Sequence, residues 1–235
     1  MSHEVWLVRR FLVPAVPAQG EMVALDDATS HHLLRVTGIA PGESVELFNG
    51  EGEAAEAALV RVDEGTAVLR VLRRWTDARA GVSTHVLLGQ TRAQVMDGTL
   101  RMVTELGVAS IQVVHMARCV AKADKRERWR RIVESAAAQS GRTVLPEIHP
   151  PADIDHVLDA REGTRLVMVP GAACAEVGSS VVHLMVGPEG GLTPEETAKA
   201  TASGWIPAGL CETVLRADTA AVAAVSARKL SLIHI

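Results

Sequence analysis

From His85 onward, short apolar runs alternate with helix-periodic segments, and that alternation leaves few folds open. His85–Gly89, Ile111–Val114, Leu166–Val169, Val182–Val186 and Trp205–Leu210 read as buried-type strands. Gln94–Leu106, Lys125–Gln139 and Thr219–Leu230 carry helical periodicity, the first stopped by Gly107 and the second by Gly141. Strands without a polar face need helices on both sides, so the pattern predicts an α/β domain with a mostly parallel sheet.

The first 75 residues follow a different rule, with short strands separated by turns. Trp6–Val13, Glu21–Leu25, Ser44–Phe48, Ala54–Val62 and Ala67–Leu72 are the strand candidates, and Pro41-Gly42 marks a turn. Ala28–Val36 reads as a short helix begun by Thr29 or Ser30. Asn49-Gly50 signals a type I′ hairpin, whose two central residues need positive φ. Short strands in a closed space predict a small β-barrel. Asp77–Gly81 reads as the linker, giving an N-terminal domain over 1–76 and a C-terminal one over 82–235.

Composition removes several classes of function. A 48% hydrophobic chain with a net charge of −4 is not disordered. It has no uninterrupted apolar stretch of about 18 residues, so no membrane span is expected. Met1–Arg10 lacks the apolar core of a signal peptide, which makes the cytoplasm the default compartment. Cys119, Cys174 and Cys211 stand far apart, and the histidines are scattered, so neither a disulfide framework nor a metal site is expected. Tyrosine is absent and phenylalanine is limited to Phe11 and Phe48, which argues against an aromatic platform for stacking RNA bases.

Charge is unevenly spread. Residues 1–80 carry eight Lys/Arg against twelve Asp/Glu, whereas residues 116–142 carry eight Lys/Arg against three Asp/Glu. Arg118, Lys122, Arg126 and Arg130 belong to the second run. A basic cluster in an acidic protein is the footprint expected for a polyanion, or equally a solvated helix face with pairs such as Glu127 and Arg131. Trp129, among these arginines, either stacks a base or packs the helix against the core.

The segment Val186–Glu196, VGPEGGLTPEE, carries the chemistry. A strand ends, a glycine loop follows, and a helix begins with Thr193 at the N-cap, Pro194 at the first position and Glu196 completing a capping box. Glycines at a strand's carboxyl end let the main chain approach a ligand closely, or else serve only a tight turn. The loop is neither GxGxxG nor GxxxxGK[ST], and Glu189 disfavours a phosphate, so a small molecule with a neutral or cationic edge fits better.

This segment, followed by Val214-Leu215-Arg216-Ala217-Asp218-Thr219-Ala220, resembles the ribosomal RNA small-subunit uracil-N3 methyltransferase family of the SPOUT superfamily. His31-His32-Leu33-Leu34-Arg35-Val36, Leu47-Phe48-Asn49-Gly50, Thr104-Glu105-Leu106-Gly107-Val108 and Gln139-Ser140-Gly141-Arg142 extend the resemblance over nearly the whole chain. It departs from the family's usual pattern at Met102, Ala138, Cys211, Ala217 and Asp218.

The resemblance implies an N-terminal PUA-like β-barrel for RNA and a C-terminal α/β trefoil-knot domain. It also implies a homodimer and S-adenosyl-L-methionine held between three loops. Those loops correspond to Val169-Pro170-Gly171, to Gly187–Leu192 with Glu189, Gly190 and Gly191, and to Leu210–Ala220 with Leu215 and Thr219. The implied reaction is methylation of N3 of one uridine of 16S ribosomal RNA in the small subunit. Arg216 and Arg142 are candidates to stabilise charge developing on the base, and His32, Arg35 and the basic run are candidates to hold RNA. The alternatives are a catalytically impaired RNA-binding paralogue and a knotted methyltransferase of another RNA. Charge reversal at Arg126 and Arg130 is expected to weaken RNA binding and flatten its dependence on salt. An unaltered salt slope returns that helix to the role of a solvated face.

Overall fold

A computed structural model of the chain describes residues 9–77, 83–159, 162–175 and 179–233. It divides into two units: Met1–Arg79 with Ala137–Leu145, and Ala80–Ala136 with Pro146–Ile235. The segment Ala137–Leu145 thus groups with the N-terminal residues, which a single cut between 76 and 82 does not describe.

The first unit holds β1 (Arg10–Leu12), β2 (Met22–Ala24), α1 (Asp27–His31), a π-helical turn over His32–Val36, β3 (Ser44–Phe48), β4 (Glu53–Asp63) and β5 (Thr66–Thr76). The sheet order is β1-β3-β4-β5-β2, with β1 parallel to β3 and the other pairs antiparallel. Register shifts at Glu56/Ala57 and Leu59/Arg61 bend the long β4–β5 ribbon. That bending lets Phe11, Leu25, Leu47, Leu59 and Leu69 share one core with Leu33 of the π turn.

Two local expectations are corrected. The helix begins one turn earlier than Thr29 or Ser30, because Asp26 is the N-cap and accepts from the Thr29 amide at 2.8 Å. That bond holds the Asp26 carboxyl below its usual range. Ser30 is buried instead, its hydroxyl donating to the Leu25 carbonyl and accepting from the Ala67 amide. Asn49-Gly50 is not a type I′ turn, since Asn49 lacks positive φ. The Asn49 side chain closes a longer loop by accepting from the Glu51 and Glu53 amides. The tight hairpin is at Glu64-Gly65, with φ of 49° and 92°.

Arg10 is the electrostatic centre of this unit. Its guanidinium pairs with Glu46, lies 4.7 Å from the centre of the Phe48 ring, and donates to the carbonyls of Ala137 and Arg142 at 3.1 and 2.9 Å. A buried arginine persists only when its donors are met.

The second unit contains β6 (Ser83–Gly89), α2 (Ala93–Glu105), β7 (Ser110–His115), most of α3 (Arg126–Ser140), β8 (Glu147–Asp153) and α4 (Ile154–Val157). β9 (Thr164–Met168), β10 (Val181–Val186), α5 (Pro194–Ala202), β11 (Ile206–Ala208) and α6 (Ala217–Ile233) complete it. Its six strands are all parallel, in the order β11-β9-β10-β6-β7-β8. One core joins Leu87, Val114, Val167 and Met185 of the strands to Ala200, Trp205 and the α4 residues Ile154 and Val157. Helices α2 and α6 pack on each other, and α6 also packs on β6 and β10. Strand β8 escapes the sequence pattern because Pro150 and Pro151 interrupt it, and prolines are tolerated where a strand forms the sheet edge. Trp129 is buried, so it packs α3 instead of stacking a base.

Among the described residues no helix is long and apolar enough to cross a membrane. Arg10→Ala strands the Glu46 carboxylate and two carbonyls, and should destabilise the first unit by about 3–5 kcal/mol. Urea unfolding followed in the wild type and variant checks this; a shift below about 1 kcal/mol removes Arg10 as its anchor.

Candidate functional site

The loops that leave β9, β10 and β11 meet at the carboxyl edge of the parallel sheet, where α/β folds bind ligands. They enclose a cleft of about 340 Å³, at the lower end of the range for small-molecule sites. Each loop is shaped by local chemistry. After β9, Val169-Pro170-Gly171-Ala172 forms a turn closed by the Ala172 amide on the Val169 carbonyl at 3.2 Å, with Gly171 at φ +78°. After β10, the Gly191 amide donates to the Pro188 carbonyl at 2.8 Å. After β11, the Gly209 amide donates to the Ala173 carbonyl at 2.9 Å, tying the third loop to the first.

These loops touch through their main chains. A Cβ on Gly209 would lie 2.0 Å from the Ala172 carbonyl oxygen, and one on Gly89 would lie 2.5 Å from the Pro188 nitrogen. A Cβ on Gly187 would meet Leu192 Cδ1 at 2.9 Å and the Gly191 carbonyl carbon at 3.0 Å. Gly190 is different, since its Cβ would meet only the stem of Arg118, at 3.0 Å. Gly209, Gly89 and Gly187 are therefore required by close approach, whereas Gly171 and Gly191, with open space beside them and φ of +78° and +69°, are required by turn conformation.

Of the residues the sequence assigned to a donor, Val169, Pro170, Gly187, Glu189, Gly190, Gly191, Leu192, Leu210, Leu215 and Ala220 line the cleft. Gly171 and Thr219 do not. The sequence placed the start of the last helix at Thr219, but α6 begins at Ala217, so the Ala220 amide already donates to the Arg216 carbonyl at 2.8 Å. Ala220 thus contributes its surface and not its amide. Cys211, Thr213 and Val214 also line the cleft, as do Met168, Val186 and Ala208 at the ends of the three strands. Cys211, Thr213 and Val214 lie inside the Leu210–Ala220 loop that the resemblance implies and Val186 opens the glycine-loop segment, whereas Met168 and Ala208 carry no signal in the sequence, because being at a strand end becomes informative only once the strand order is known.

Two buried polar side chains hold the surroundings. The Glu196 carboxylate accepts from the Thr193 amide at 2.8 Å and from the Ala117 amide at 2.7 Å, so the capping box also fastens the segment after β7. Gln90 exchanges two 3.1 Å bonds with the main chain of Ala123. Burial pushes the Cys119 thiol up, and its sulfur accepts from the Met116 amide, a structural and unreactive placement.

The arginines separate into groups. Arg118 donates through Nη1 to the Gly190 and Leu192 carbonyls at 2.8 and 3.2 Å, which puts it in the cleft wall. Glu195, in the first turn of α5, is held below its usual range by its own backbone amide and the Thr193 side chain, with the Arg118 charge adding to this. Arg126 pairs with Asp124, Arg128 with Asp97 and Arg130 with Glu127, so much of the basic run is already balanced. Lys122 is exposed. Arg216 is exposed beside the lining residues Leu215 and Ala217. Arg142 belongs to the first unit, half-buried, with desolvation drawing its pKa down and its carbonyl holding Arg10. In that unit the exposed His32 sets its ring edge-on to Phe11, and Arg35 is exposed in the π turn.

A parallel α/β unit with a cleft at its strand ends, accompanied by a small β unit, is the architecture of a ligand-binding α/β protein with an accessory domain. Comparison with known proteins gives the family. A model described as RNA methyltransferase domain matches residues 79–229, and one described as RNA methyltransferase PUA domain matches residues 25–72. The chain belongs to this RNA methyltransferase family.

A ribosomal RNA small subunit methyltransferase E from Mycobacterium bovis is 31% identical, over 92% of this chain and 89% of that protein. Its namesake from Bacillus subtilis is 28% identical, over 84% and 85%. The crystal structure of a ribosomal RNA small subunit methyltransferase E from Neisseria gonorrhoeae, bound to S-adenosyl methionine, superposes with a TM-score of 0.89 at 34% identity. It covers 96% of this chain and 98% of that one.

Gly209→Ala drives a methyl group into a carbonyl and is expected to cost about 1–3 kcal/mol of stability. Gly190→Ala, facing a movable arginine stem, should cost less. Thermal unfolding of the two variants side by side checks the order, and equal losses contradict the close backbone approach.

Proposed function

We propose that this protein transfers a methyl group from S-adenosyl-L-methionine to N3 of a uridine in 16S ribosomal RNA of the small subunit. The observation that carries the reading is the cleft at the ends of β9, β10 and β11. Its walls are aliphatic side chains and the main chain of Gly187, Gly190 and Gly191, and the loops that carry them are held together behind the cleft at Gly209 and Gly89, where a Cβ would strike backbone. Such walls suit the flat, weakly charged surface of an adenosine, and Leu192, Leu210 and Leu215 supply its apolar sides. The relatives' identity as ribosomal RNA small subunit methyltransferases E and the bound S-adenosyl methionine of the Neisseria structure support it.

When bound, the donor supplies an activated methyl on a sulfonium. The chain's own contribution is therefore placement and charge. Uracil N3–H must lose its proton as the methyl arrives, and negative charge then develops towards O2 and O4. Arg216, exposed next to the cleft wall, is the side chain we assign to that charge. Arg142, half-buried with its carbonyl spent on Arg10, supports the first unit more directly than it supports the base. Because N3 is hidden in a base pair, the target must be unpaired or turned out of its helix. Lys122, Arg126 and Arg130 of the second unit, and His32 and Arg35 of the PUA-like unit, are the proposed phosphate contacts, conferring strong salt dependence.

The active form we infer is a homodimer in the cytoplasm, with the second unit threaded as a trefoil knot. Val214 is 78% exposed although it lines the cleft, and an apolar side chain at that position is well suited to cover by a second copy. Light scattering is expected to give twice the chain mass, and a monomer at micromolar concentration overturns the dimer. The activity is tested with radiolabelled donor on small subunits from a strain lacking the modification. Label at N3 of uridine is expected. Donor binding without transfer identifies the impaired paralogue, and transfer only to another RNA changes the substrate.

A further inference from the structure

The cleft has very little formal charge. Among the residues lining it, Arg118 and Glu189 are the only members of the Asp, Glu, Lys and Arg set. Each is held by the main chain and neither is neutralised by the other within ion-pair distance. Arg118 Nη1 is occupied by the Gly190 and Leu192 carbonyls. Glu189 Oε1 accepts from the Arg92 amide at 3.1 Å and lies 3.8 Å from the Arg92 guanidinium. That leaves Nε and Nη2 of Arg118 as donors, in a planar fork that matches a carboxylate. Arg118 also lines a shallow groove next to the cleft, between Val169 and the α5 residues Pro194, Thr197 and Ala198. Its guanidinium therefore stands where the closed cleft opens out.

We propose that Arg118 is a specificity residue for the donor's amino-acid end, binding its carboxylate through Nε and Nη2 while Nη1 keeps the glycine loop in place. The inference rests on the reading of the cleft as the S-adenosyl-L-methionine site. The choice of a carboxylate over an RNA phosphate follows from Glu189. The Glu189 carboxylate, shared with Arg92, still offers an acceptor in the same small cleft that a lone phosphate cannot use, whereas an amino acid brings an ammonium group along with its carboxylate and matches both Arg118 and Glu189. The stem of Arg118 passes over Gly190, where an added Cβ would come within 3.0 Å of it, and that seat fixes where the fork can reach. Arg118 thus has two separable functions, one in loop geometry and one in ligand charge.

The test is calorimetry on the full chain with two ligands that share the thioadenosine group. S-adenosylhomocysteine carries the amino-acid carboxylate, and methylthioadenosine does not. Wild type should bind the first more tightly. Arg118→Gln should reduce that preference by roughly 10-fold, and Arg118→Lys, which keeps charge but loses the fork, should recover part of it. If both ligands weaken by the same factor, Arg118 serves the loop alone and the proposal fails. If neither ligand's affinity changes but the salt slope of RNA binding falls, its fork belongs to RNA and the proposal fails likewise. If wild type binds neither ligand, the donor site itself is misassigned. That outcome is distinct, because it appears before any substitution is made.

Discussion

Three loops at one edge of a parallel sheet approach so closely that a single added methyl group would overlap a neighbouring carbonyl. Everything at the site depends on this contact of main chain with main chain. Gly209 against Ala172 joins the loops after β11 and β9, and Gly89 against Pro188 seats the loop after β10 on the end of β6. A wall built from backbone cannot change rotamer, so the glycine side of the cleft is set by the fold, and Leu192, Leu210 and Leu215 complete it with side chains. This is the condition for recognising a nucleoside largely through shape.

The second organising feature is how the charges are used. Arg10, Arg118, Arg126, Arg128 and Arg130 all have specific acceptors: a half-buried glutamate, two loop carbonyls, or an aspartate or glutamate nearby. A basic run read from sequence counts the last four as one patch. In the structure they perform different tasks, and the charge left for a polyanion is smaller than the sum. Glu196 shows the same principle with opposite sign. Its carboxylate begins a helix and, in the same position, fastens the Ala117 amide of a segment far away in sequence.

Much was legible before any coordinates. The capping box at Thr193–Glu196 and the stops at Gly107 and Gly141 are local, because each depends on residues within one helical turn, and all three are found as expected. Most strands of the second unit were legible as apolar runs. Strand β8 was not, since Pro150 and Pro151 are compatible with a strand only at an edge, and being an edge is a property of the sheet. The Asn49-Gly50 turn failed for a related reason: the dipeptide permits a type I′ turn but does not compel it, and Asn49 was recruited to cap a longer loop instead.

Sequence by itself determined the two kinds of architecture, the glycine loop with its helix start, and the family resemblance, because these reside in spacing and residue type along a continuous stretch. Tertiary structure decided which strand ends adjoin, that Ala137–Leu145 groups with the first unit, that α6 starts at Ala217 and so withdraws the Ala220 amide, and that Arg118 reaches the carbonyls of Gly190 and Leu192. Each of these is a contact between residues remote in the chain. Its existence depends on the order in which parallel strands are laid side by side, and no local propensity encodes that order.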